Sequence, residues 1–365
     1  MKELLGLSPR PRIVTACTGA GALLTRMLAE TPGASQYLVG SYFPYDARET
    51  AEFIGFMPEK FVCEETAIHL AVEAYMRSSL RCESGDRAIG LGMTASVASQ
   101  VEHRGDHRLS LAVITDAFAS VSTMTLQKSV GPEARRLDDD YCSEVAGDWL
   151  IEAASASASP EPDGVRQAFL SRPFFAFGPG ECRRKEPHGG VFFPGNFDPM
   201  HFGHEGIAEA VSQLTGAPVI PWITANPPHK PALTVQQMAR RAAFMRSRGF
   251  PVLFSEGDPL YIDKARRFPG HAFVIGADAL VRMLDPKWGP EVEPMLEEFS
   301  NLGTRFYVVP RLVLQDGLLG ARGILLELDI AERFHEMFVG VDGSWDVSST
   351  EIRRAVASSE RVAHQ

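Results

Sequence analysis

The segment from Val191 to His204 constrains the fold of this chain most, because it has the pattern of a buried strand, a tight turn and the start of a helix. The apolar run that opens this segment predicts a strand of a parallel sheet. The strand is expected to end at Gly195, a residue type that tolerates φ > 0. His201 and His204 would both face the N-terminus of the following helix, where anions bind. Gly203 would let the backbone approach a phosphate. The segment therefore predicts a nucleotide-binding turn in an α/β domain.

Three further segments place polar residues at the ends of predicted strands or at a helix start. His229 and Lys230, within Asn-Pro-Pro-His-Lys-Pro, follow the apolar strand 219–224, and open α/β sheets bind ligands at such carboxyl ends. The strand in 273–278 ends in a glycine and an aspartate. The run 348–353, Ser-Ser-Thr-Glu-Ile-Arg, predicts a helix start whose hydroxyls, N–H groups and arginine suit phosphate oxygens. An ordinary capping box explains that last run without a ligand.

Together these four segments, at about 189–357, resemble the nucleotidyltransferase superfamily with H-x-G-H and S-S-T-x-I-R motifs. Within it, the N-P-P-H-K loop favours the nicotinate or nicotinamide mononucleotide adenylyltransferases. The resemblance implies adenylyl transfer from ATP to the mononucleotide, giving NAD or deamido-NAD plus pyrophosphate. Since the attacking phosphate is already ionised near neutral pH, the reaction needs mainly positioning and charge neutralisation. Mg²⁺ would arrive with ATP, and no metal site built from protein ligands is expected.

The resemblance also implies residue roles. His201 and His204 would stabilise the α-phosphate in the transition state, and Lys230 and Arg353 would hold the β- and γ-phosphates. The other candidates for binding ATP or the acceptor are Gly195, Asn196, Phe197, Asp198, His229, Gly276, Asp278, Ser348, Ser349 and Thr350.

Two departures from the family leave the acceptor open. Pro194-Gly195-Asn196 stands where the mononucleotide branch has Gly-Gly-Thr or Gly-Gly-Ser, and it is more similar to the phosphopantetheine and cytidylyl relatives. In 255–263, where a Tyr-Thr loop would contact the pyridine ring, Tyr261 is present and the threonine is missing. Adenylyl or cytidylyl transfer to phosphopantetheine or a polyol phosphate is one alternative, and a non-catalytic pyridine-nucleotide sensor is another. The residues do not discriminate between nicotinate and nicotinamide.

The N-terminal part, about 10–160, also has an α/β pattern. A turn at 18–21, Thr-Gly-Ala-Gly, leads into a helix and is a candidate anion site, although a tight turn without a ligand explains the same residues. The pattern predicts strands at 12–15, 37–43, 88–92 and 107–116, and helices around 23–28, at 64–77 and at 138–156.

Most of 10–157 resembles the CinA C-terminal family, whose active members hydrolyse the amide of nicotinamide mononucleotide. Ala16 stands where that family has its nucleophilic serine, and Thr50 stands where it has the activating lysine. Cys17 is next to the missing nucleophile but lacks an evident base. The resemblance therefore implies a domain that no longer forms an acyl-enzyme. The degenerate site comprises Ala16, Thr18, Gly19, Tyr45 and Thr50.

A length of 365 residues suits two domains. We predict a CinA C-terminal-like α/β domain at 1–165, a linker at 166–188, and a Rossmann-like parallel-sheet nucleotidyltransferase domain at 189–365. The net charge of −10 disfavours nucleic acid and anionic membranes as partners. Five cysteines without a C-x-x-C pair disfavour a disulfide framework or zinc site. With no leader or long apolar run, a cytoplasmic enzyme is expected, and the family resemblance implies a homo-oligomer.

Overall fold

The described residues of this computed structural model are 1–101, 104–117, 119–156, 166, 170, 190–227, 230–285, 291–310, 312–313, 317–318, 321–343 and 345. They form two compact units: the described parts of Met1–Lys185 with Leu233–Gly249, and those of Glu186–Ala232 with Phe250–Gln365. Each unit has its own sheet, which confirms the prediction of two α/β domains. The segment Leu233–Gly249 groups with the first unit although it lies inside the predicted second domain.

The first unit has a five-stranded mixed sheet. Its strands lie in the order β2-β1-β3-β4-β5, with β2, β1 and β3 parallel and the last two antiparallel. The strands are β1 (Arg10–Thr18), β2 (Leu38–Tyr42), β3 (Asp86–Ser96), β4 (Arg108–Thr115) and β5 (Ala119–Thr125). The first four helices are α1 (Ala22–Glu30), α2 (Ala47–Ile54), α3 (Glu64–Ser79) and α4 (Pro132–Ser155), with short 3₁₀ turns at Lys2–Leu4 and Ala34–Gln36.

Helix α3 is buried along most of its length and packs directly on β3. A Cβ atom at Gly92 would lie 2.1 Å from the carbonyl oxygen of Ala67, and one at Gly90 would lie 2.4 Å from that of Ala71. Such approaches are impossible for any side chain, so two glycines allow helix backbone and strand backbone to touch. This contact fixes the centre of the first unit.

The second unit has a six-stranded parallel sheet, in the order β8-β7-β6-β9-β10-β13. Its strands are β6 (Val191–Pro194), β7 (Val219–Thr224), β8 (Leu253–Ser255), β9 (Ala272–Gly276), β10 (Arg305–Val309) and β13 (Phe338–Gly340), beside a small antiparallel pair, β11 (Leu312–Val313) and β12 (Gly317–Leu318). Its helices are α5 (Phe202–Thr215), α7 (Tyr261–Arg267), α8 (Ala277–Met283), α9 (Val292–Asn301) and α10 (Ala321–Glu327), with a 3₁₀ turn at Glu332–Met337. Helix α6 (Val235–Ser247) lies between β7 and β8 in the chain and belongs to the first unit.

The strand order of this second sheet is that of a Rossmann-like fold, 3-2-1-4-5-6 when its strands are counted along the chain. Successive strands are added on one side of β6 up to β8 and on its other side from β9 onwards, so the strand order reverses between β6 and β9. In open α/β sheets, ligands bind in the crevice at the carboxyl ends of the strands at such a point. The predicted Rossmann-like parallel sheet is confirmed. The H-x-G-H segment follows β6, and Gly276 ends β9, so these candidate residues lie at the carboxyl ends of those two strands.

Two local features bear on other predictions. No helix among the described residues is long and apolar enough to cross a membrane. The four cysteines within the described ranges, Cys17, Cys63, Cys82 and Cys142, are free thiols.

Candidate active site

The turn after β6 differs in detail from the predicted one. Gly195 does not carry the left-handed backbone; Phe197 does, with φ 44°. The Phe197 ring folds back over Gly195, where a Cβ atom would lie 2.8 Å from the ring. Gly195 is therefore needed for space, and the tolerance of glycine for φ > 0 is not used at this position. The folded-back ring is buried and packs edge-on against Phe193, with 5.2 Å between centroids.

His201 and His204 lie together at the start of α5. Their ring centroids are 3.8 Å apart, and the His201 backbone N–H donates to Nδ1 of His204 at 3.3 Å. The Phe197 ring contacts His204 with centroids 4.8 Å apart, so the turn itself supports the second imidazole. His201 is the N-cap residue and is almost fully buried. Among the described residues, none forms a hydrogen bond with its Nδ1. The segment places two imidazoles side by side at one helix N-terminus.

Burial keeps both imidazoles neutral near pH 7. Desolvation lowers the pKa of His201, and desolvation together with the neighbouring His201 lowers the pKa of His204 to about 3. Because Nδ1 of His204 accepts a hydrogen bond, its proton is on Nε2, which is left to donate to an anion. The pair can thus act on a phosphate through a neutral donor and the helix N-terminus, without a resident positive charge.

Small residues on α5 make room for neighbouring rings. A Cβ atom at Gly203 would lie 3.1 Å from the His201 ring, and one at Gly206 would lie 2.5 Å from Nε1 of Trp345. Trp345, three positions before Ser348, therefore packs against the first turns of α5. We did not predict this contact from the sequence. The spacing of Gly203 and Gly206 on one helix was the available signal, since small residues three apart allow close packing.

Some of the other candidates lie within the described residues and some lie outside them. Gly276 is the N-cap of α8 at the end of β9, and Asp278 is in the first turn of that helix. Asn196 is exposed and Asp198 half-buried in the turn after β6. Strands β6 and β9 pair directly, so these residues follow neighbouring strands. Lys230 is exposed in the loop after β7. The remaining candidates lie outside the described residues: His229, Ser348, Ser349, Thr350 and Arg353.

Tyr261 does not stand in a ligand loop. It is the first residue of α7, its hydroxyl donates to the carbonyl of Val274 at 3.4 Å, and its ring packs edge-on against Phe273 and Phe306. Burial raises its pKa. Tyr261 therefore belongs to the core of the second unit, and the interpretation of it as a contact to a pyridine ring finds no support in its position.

A buried lysine near the same sheet edge was not predicted. Lys264 on α7 is 3% exposed, and its Nζ donates to Oγ1 of Thr224 at 3.1 Å and to the backbone carbonyl of Asp258. The ammonium lies 5.3 Å from the ring centroid of Trp222. Burial lowers the pKa of Lys264 to about 8. In the sequence it stands in Asp-Lys-Ala-Arg-Arg, which looks like a solvent-exposed helix face, so periodicity gave no signal.

The candidate anion site of the first unit is filled by the protein itself. The Asp139 carboxylate, from α4, accepts hydrogen bonds from the backbone N–H groups of Gly21, Ala22 and Leu23 at 2.7, 3.1 and 3.1 Å. These are the donors that the N-terminus of α1 would offer to a phosphate. The structure favours the alternative that the turn at 18–21 is a strand-to-helix turn, capped by a distant carboxylate.

The degenerate residues of the first unit have no arrangement for nucleophilic attack. Ala16 is fully buried in β1, and the hydroxyl of Thr50 donates to the carbonyl of Pro44 at 2.7 Å. Cys17 is fully buried, and burial with Asp139 and Cys142 nearby raises its pKa. A thiol that stays protonated is a poor nucleophile.

A cavity of about 280 Å³ nevertheless remains in the first unit, lined by Thr18, Gly19 and Tyr45 among others. Arg135 lines it too, and its guanidinium donates to the carbonyl of Gly19 and to the Tyr45 hydroxyl, both at 2.8 Å. The cavity therefore keeps a positive charge and a half-exposed aromatic ring beside one another. That combination is suited to binding rather than to hydrolysis.

Within the described ranges, no group of three or more histidine, cysteine, aspartate or glutamate side chains is arranged to hold a metal ion. Asp198 and Asp278 follow neighbouring strands but do not form such a group.

Residues 192–355 match the cytidylyltransferase-like family. A probable nicotinate-nucleotide adenylyltransferase of Gloeobacter violaceus is 28% identical over 178 residues, covering 46% of this chain and 82% of that protein. A second protein of that description, from Exiguobacterium sibiricum, is 29% identical over 189 residues, covering 47% of this chain and 87% of that protein.

Solved structures are also similar to parts of the chain. A competence or damage-inducible protein from Enterobacter asburiae is 15% identical with a TM-score of 0.31, over 40% of this chain and 88% of that one. A CinA superfamily protein from Enterobacter cloacae is 14% identical with a TM-score of 0.31, over 40% and 83%. TM-scores this low carry no argument about fold or function. The sequence matches do: residues 192–355 are similar to the cytidylyltransferase-like family, and this match and the two relatives support a nucleotidyltransferase in this part of the chain.

Proposed function

We propose that the second unit transfers the adenylyl group of ATP to nicotinate or nicotinamide mononucleotide, giving deamido-NAD or NAD and releasing pyrophosphate. The proposal is carried by the paired imidazoles of His201 and His204 at a helix N-terminus. This helix follows β6, the strand at which the strand order of the parallel sheet reverses. The two relatives described as probable nicotinate-nucleotide adenylyltransferases support the choice of acceptor.

In the proposed reaction, a phosphate oxygen of the mononucleotide forms a bond to the α-phosphorus of ATP, and the bond from that phosphorus to the β-bridging oxygen breaks. Charge grows on the α-phosphate oxygens and on the leaving pyrophosphate. The neutral Nε2–H of His204 would donate to the α-phosphate, with His201 beside it on the same helix start. Lys230 and Arg353 would bind the β- and γ-phosphates. Mg²⁺ bound to ATP would neutralise phosphate charge.

The experiment is an acceptor panel. Purified full-length protein, ATP and Mg²⁺ are mixed separately with nicotinate mononucleotide, nicotinamide mononucleotide, phosphopantetheine and a polyol phosphate. Pyrophosphate release is followed, and the product mass is determined. We expect a dinucleotide product with a pyridine mononucleotide only. Phosphopantetheine as the preferred acceptor would replace the proposal with the relatives that share the Pro-Gly turn.

A second candidate function, a pyridine-nucleotide sensor in the first unit, is favoured by the cavity that Arg135 and Tyr45 line. In this proposal the first unit binds a ligand without hydrolysing it. Nicotinamide mononucleotide should then raise the melting temperature of the protein, and Arg135→Ala should reduce this shift to the part that comes from binding to the second unit. No shift before the Arg135 substitution would leave the cavity without this role.

We also propose that the protein works in the cytoplasm as a homo-oligomer. The net charge of −10 supports a partner set of small anionic substrates met by local positive charge, without nucleic acid or membrane. Size-exclusion chromatography with light scattering tests the oligomer.

A further inference from the structure

Lys264 is a charged side chain in a place where an apolar one would be more stable. Its Nζ makes hydrogen bonds to Thr224 and to the backbone of Asp258, and it lies over the Trp222 ring. The Asp258 carboxylate pairs with Arg267, with 2.6 Å between Oδ2 and Nη1. Lys264 therefore donates to the backbone carbonyl of Asp258 and not to its carboxylate. Burying an ammonium without a close carboxylate is unfavourable.

The surroundings of Lys264 reduce this cost only in part. Asp258 and Asp263 favour the ammonium, whereas Arg267 and desolvation oppose it, and desolvation is the largest effect. A methionine of similar length would bury apolar surface there at no such cost. The stability of the fold therefore does not explain why a lysine stands here. What distinguishes Lys264 from a methionine is that its ammonium donates hydrogen bonds.

Those hydrogen bonds join two loops at the carboxyl ends of neighbouring strands. Thr224 is the last residue of β7, directly before the loop that contains Lys230. Asp258 is in the loop after β8. The backbone N–H of Ala225 donates to the carbonyl of Ser255 at 2.6 Å, which continues the connection between the two strand ends. Lys264 thus ties down the start of the Lys230 loop.

We infer that Lys264 is a positioning residue that fixes the loop carrying Lys230, and through it the binding of the ATP phosphates. This inference rests on the proposed role of Lys230 in phosphate binding. Lys264 would not touch the substrate; it would set the place of a residue that does.

The test is a double-mutant cycle in the full-length protein. Lys264→Met should raise the KM for ATP about tenfold, the effect of about one charge-assisted hydrogen bond, while kcat changes less than about twofold. In a Lys230→Ala background, Lys264→Met should have little further effect, because both substitutions remove one interaction. Arg266→Met is the matched control: Arg266 is on the same helix, is half-exposed and pairs with Glu298 at 2.6 Å. It should leave the KM for ATP unchanged.

A second variant and a readout without substrate keep the inference testable if Lys264→Met folds poorly. Thr224→Val keeps the shape of the side chain and removes the hydroxyl that accepts from the Lys264 ammonium and donates to the carbonyl of Asp258 at 3.4 Å, and it should also raise the KM for ATP. Amide hydrogen exchange at Ala225 should become faster in both variants than in wild type. Additive effects of Lys264→Met and Lys230→Ala, or unchanged exchange at Ala225, would overturn the inference. An absence of turnover in wild type with every acceptor, combined with faster exchange, would instead remove the proposed function while leaving the loop contact in place.

Discussion

At the scale of single residues, the candidate site contains two histidines that carry no charge near pH 7. His201 and His204 are neutral because burial lowers their pKa values. Positive charge for a triphosphate must therefore come from elsewhere, and Lys230 and Arg353 are the residues proposed to supply it. In the proposed reaction, neutral donors would stabilise the α-phosphate and cations would stabilise the leaving pyrophosphate.

Arg353→Ala and Lys230→Ala should each raise the apparent KM for ATP by about tenfold or more, since each would remove a charged contact to phosphates of the leaving pyrophosphate. Arg353→Lys should restore only part of the affinity, because an ammonium lacks the forked donors of a guanidinium. Isothermal calorimetry with ATP measures this. Unchanged ATP binding in Arg353→Ala would mean that the Ser-Ser-Thr-Glu-Ile-Arg run is only a helix cap.

The depressed pKa of His204 should appear in the acid stability of the protein. The folded form resists protonation down to a pKa of about 3, whereas an unfolded histidine takes up a proton near 6.5. Between these values the unfolded state binds more protons, so the free energy of unfolding should fall as pH falls from 6.5 towards 3. Urea denaturation of wild type and His204→Gln across that range should show a steeper loss for wild type. Equal slopes would contradict the burial of a neutral His204.

At the scale of elements, helix α5 holds the site by packing as much as by its N-terminus. Trp345 lies against Gly206, where any Cβ atom would be 2.5 Å from Nε1 of that ring. Gly206→Ala should therefore displace Trp345, despite the better helix propensity of alanine, and destabilise the protein by about 1–3 kcal/mol. Glu209→Ala, at an exposed position of the same helix, is the control. Thermal or urea denaturation of both variants measures the difference; a more stable Gly206→Ala protein would show that Trp345 does not pack there.

The elements differed in how well the sequence predicted them. The apolar run 219–224 matches β7 at both ends, because a strand buried on both faces needs a continuous apolar sequence. Strand β5 is mostly half-exposed and escaped prediction, and α4 begins at Pro132, before the predicted 138, because its first turns carry charged residues without an apolar period. Edge strands and solvent-facing turns give weak patterns.

The site was predictable where its chemistry lies within one short segment. The H-x-G-H histidines meet because they are three apart at a helix start. The filling of the α1 terminus by Asp139 joins residues more than a hundred positions apart, and no local pattern indicates it. Lys264 escaped for a similar reason, since its burial depends on Thr224 and Asp258 from other elements.

At the scale of the whole molecule, the chain connects a unit that has Ala16 and Thr50 at its degenerate site to a unit with a complete H-x-G-H segment. The segment Leu233–Gly249 groups with the first unit, although the strands before and after it in the chain belong to the second. Its helix α6 packs on α3, where Arg246 contacts the buried carboxylate of Glu73, and Arg240 pairs with Asp116 at 2.8 Å. The first unit therefore holds a helix that lies, in the chain, between two strands of the second.

The full-length protein should release no ammonia from nicotinamide mononucleotide. Ala16 offers no hydroxyl, Thr50 no amine, and the Cys17 thiol is fully buried and protonated. A coupled ammonia assay in the absence of ATP tests this, with an active deamidase as the positive control. Ammonia release that Cys17→Ala abolishes would replace the non-hydrolytic account of the first unit with a thiol mechanism.

The most direct test of the central claim is the turnover of wild-type and His204→Ala proteins, assayed side by side with ATP, Mg²⁺ and nicotinate mononucleotide. His204 would act on charge that develops in the transition state, so kcat should fall by about 10² or more while ATP binding changes little. Phe202→Ala, at an exposed neighbouring position of the same helix, should keep near wild-type turnover. We expect wild type to release pyrophosphate and form the dinucleotide at a rate that His204→Ala does not approach. Equal turnover in the two proteins would contradict it.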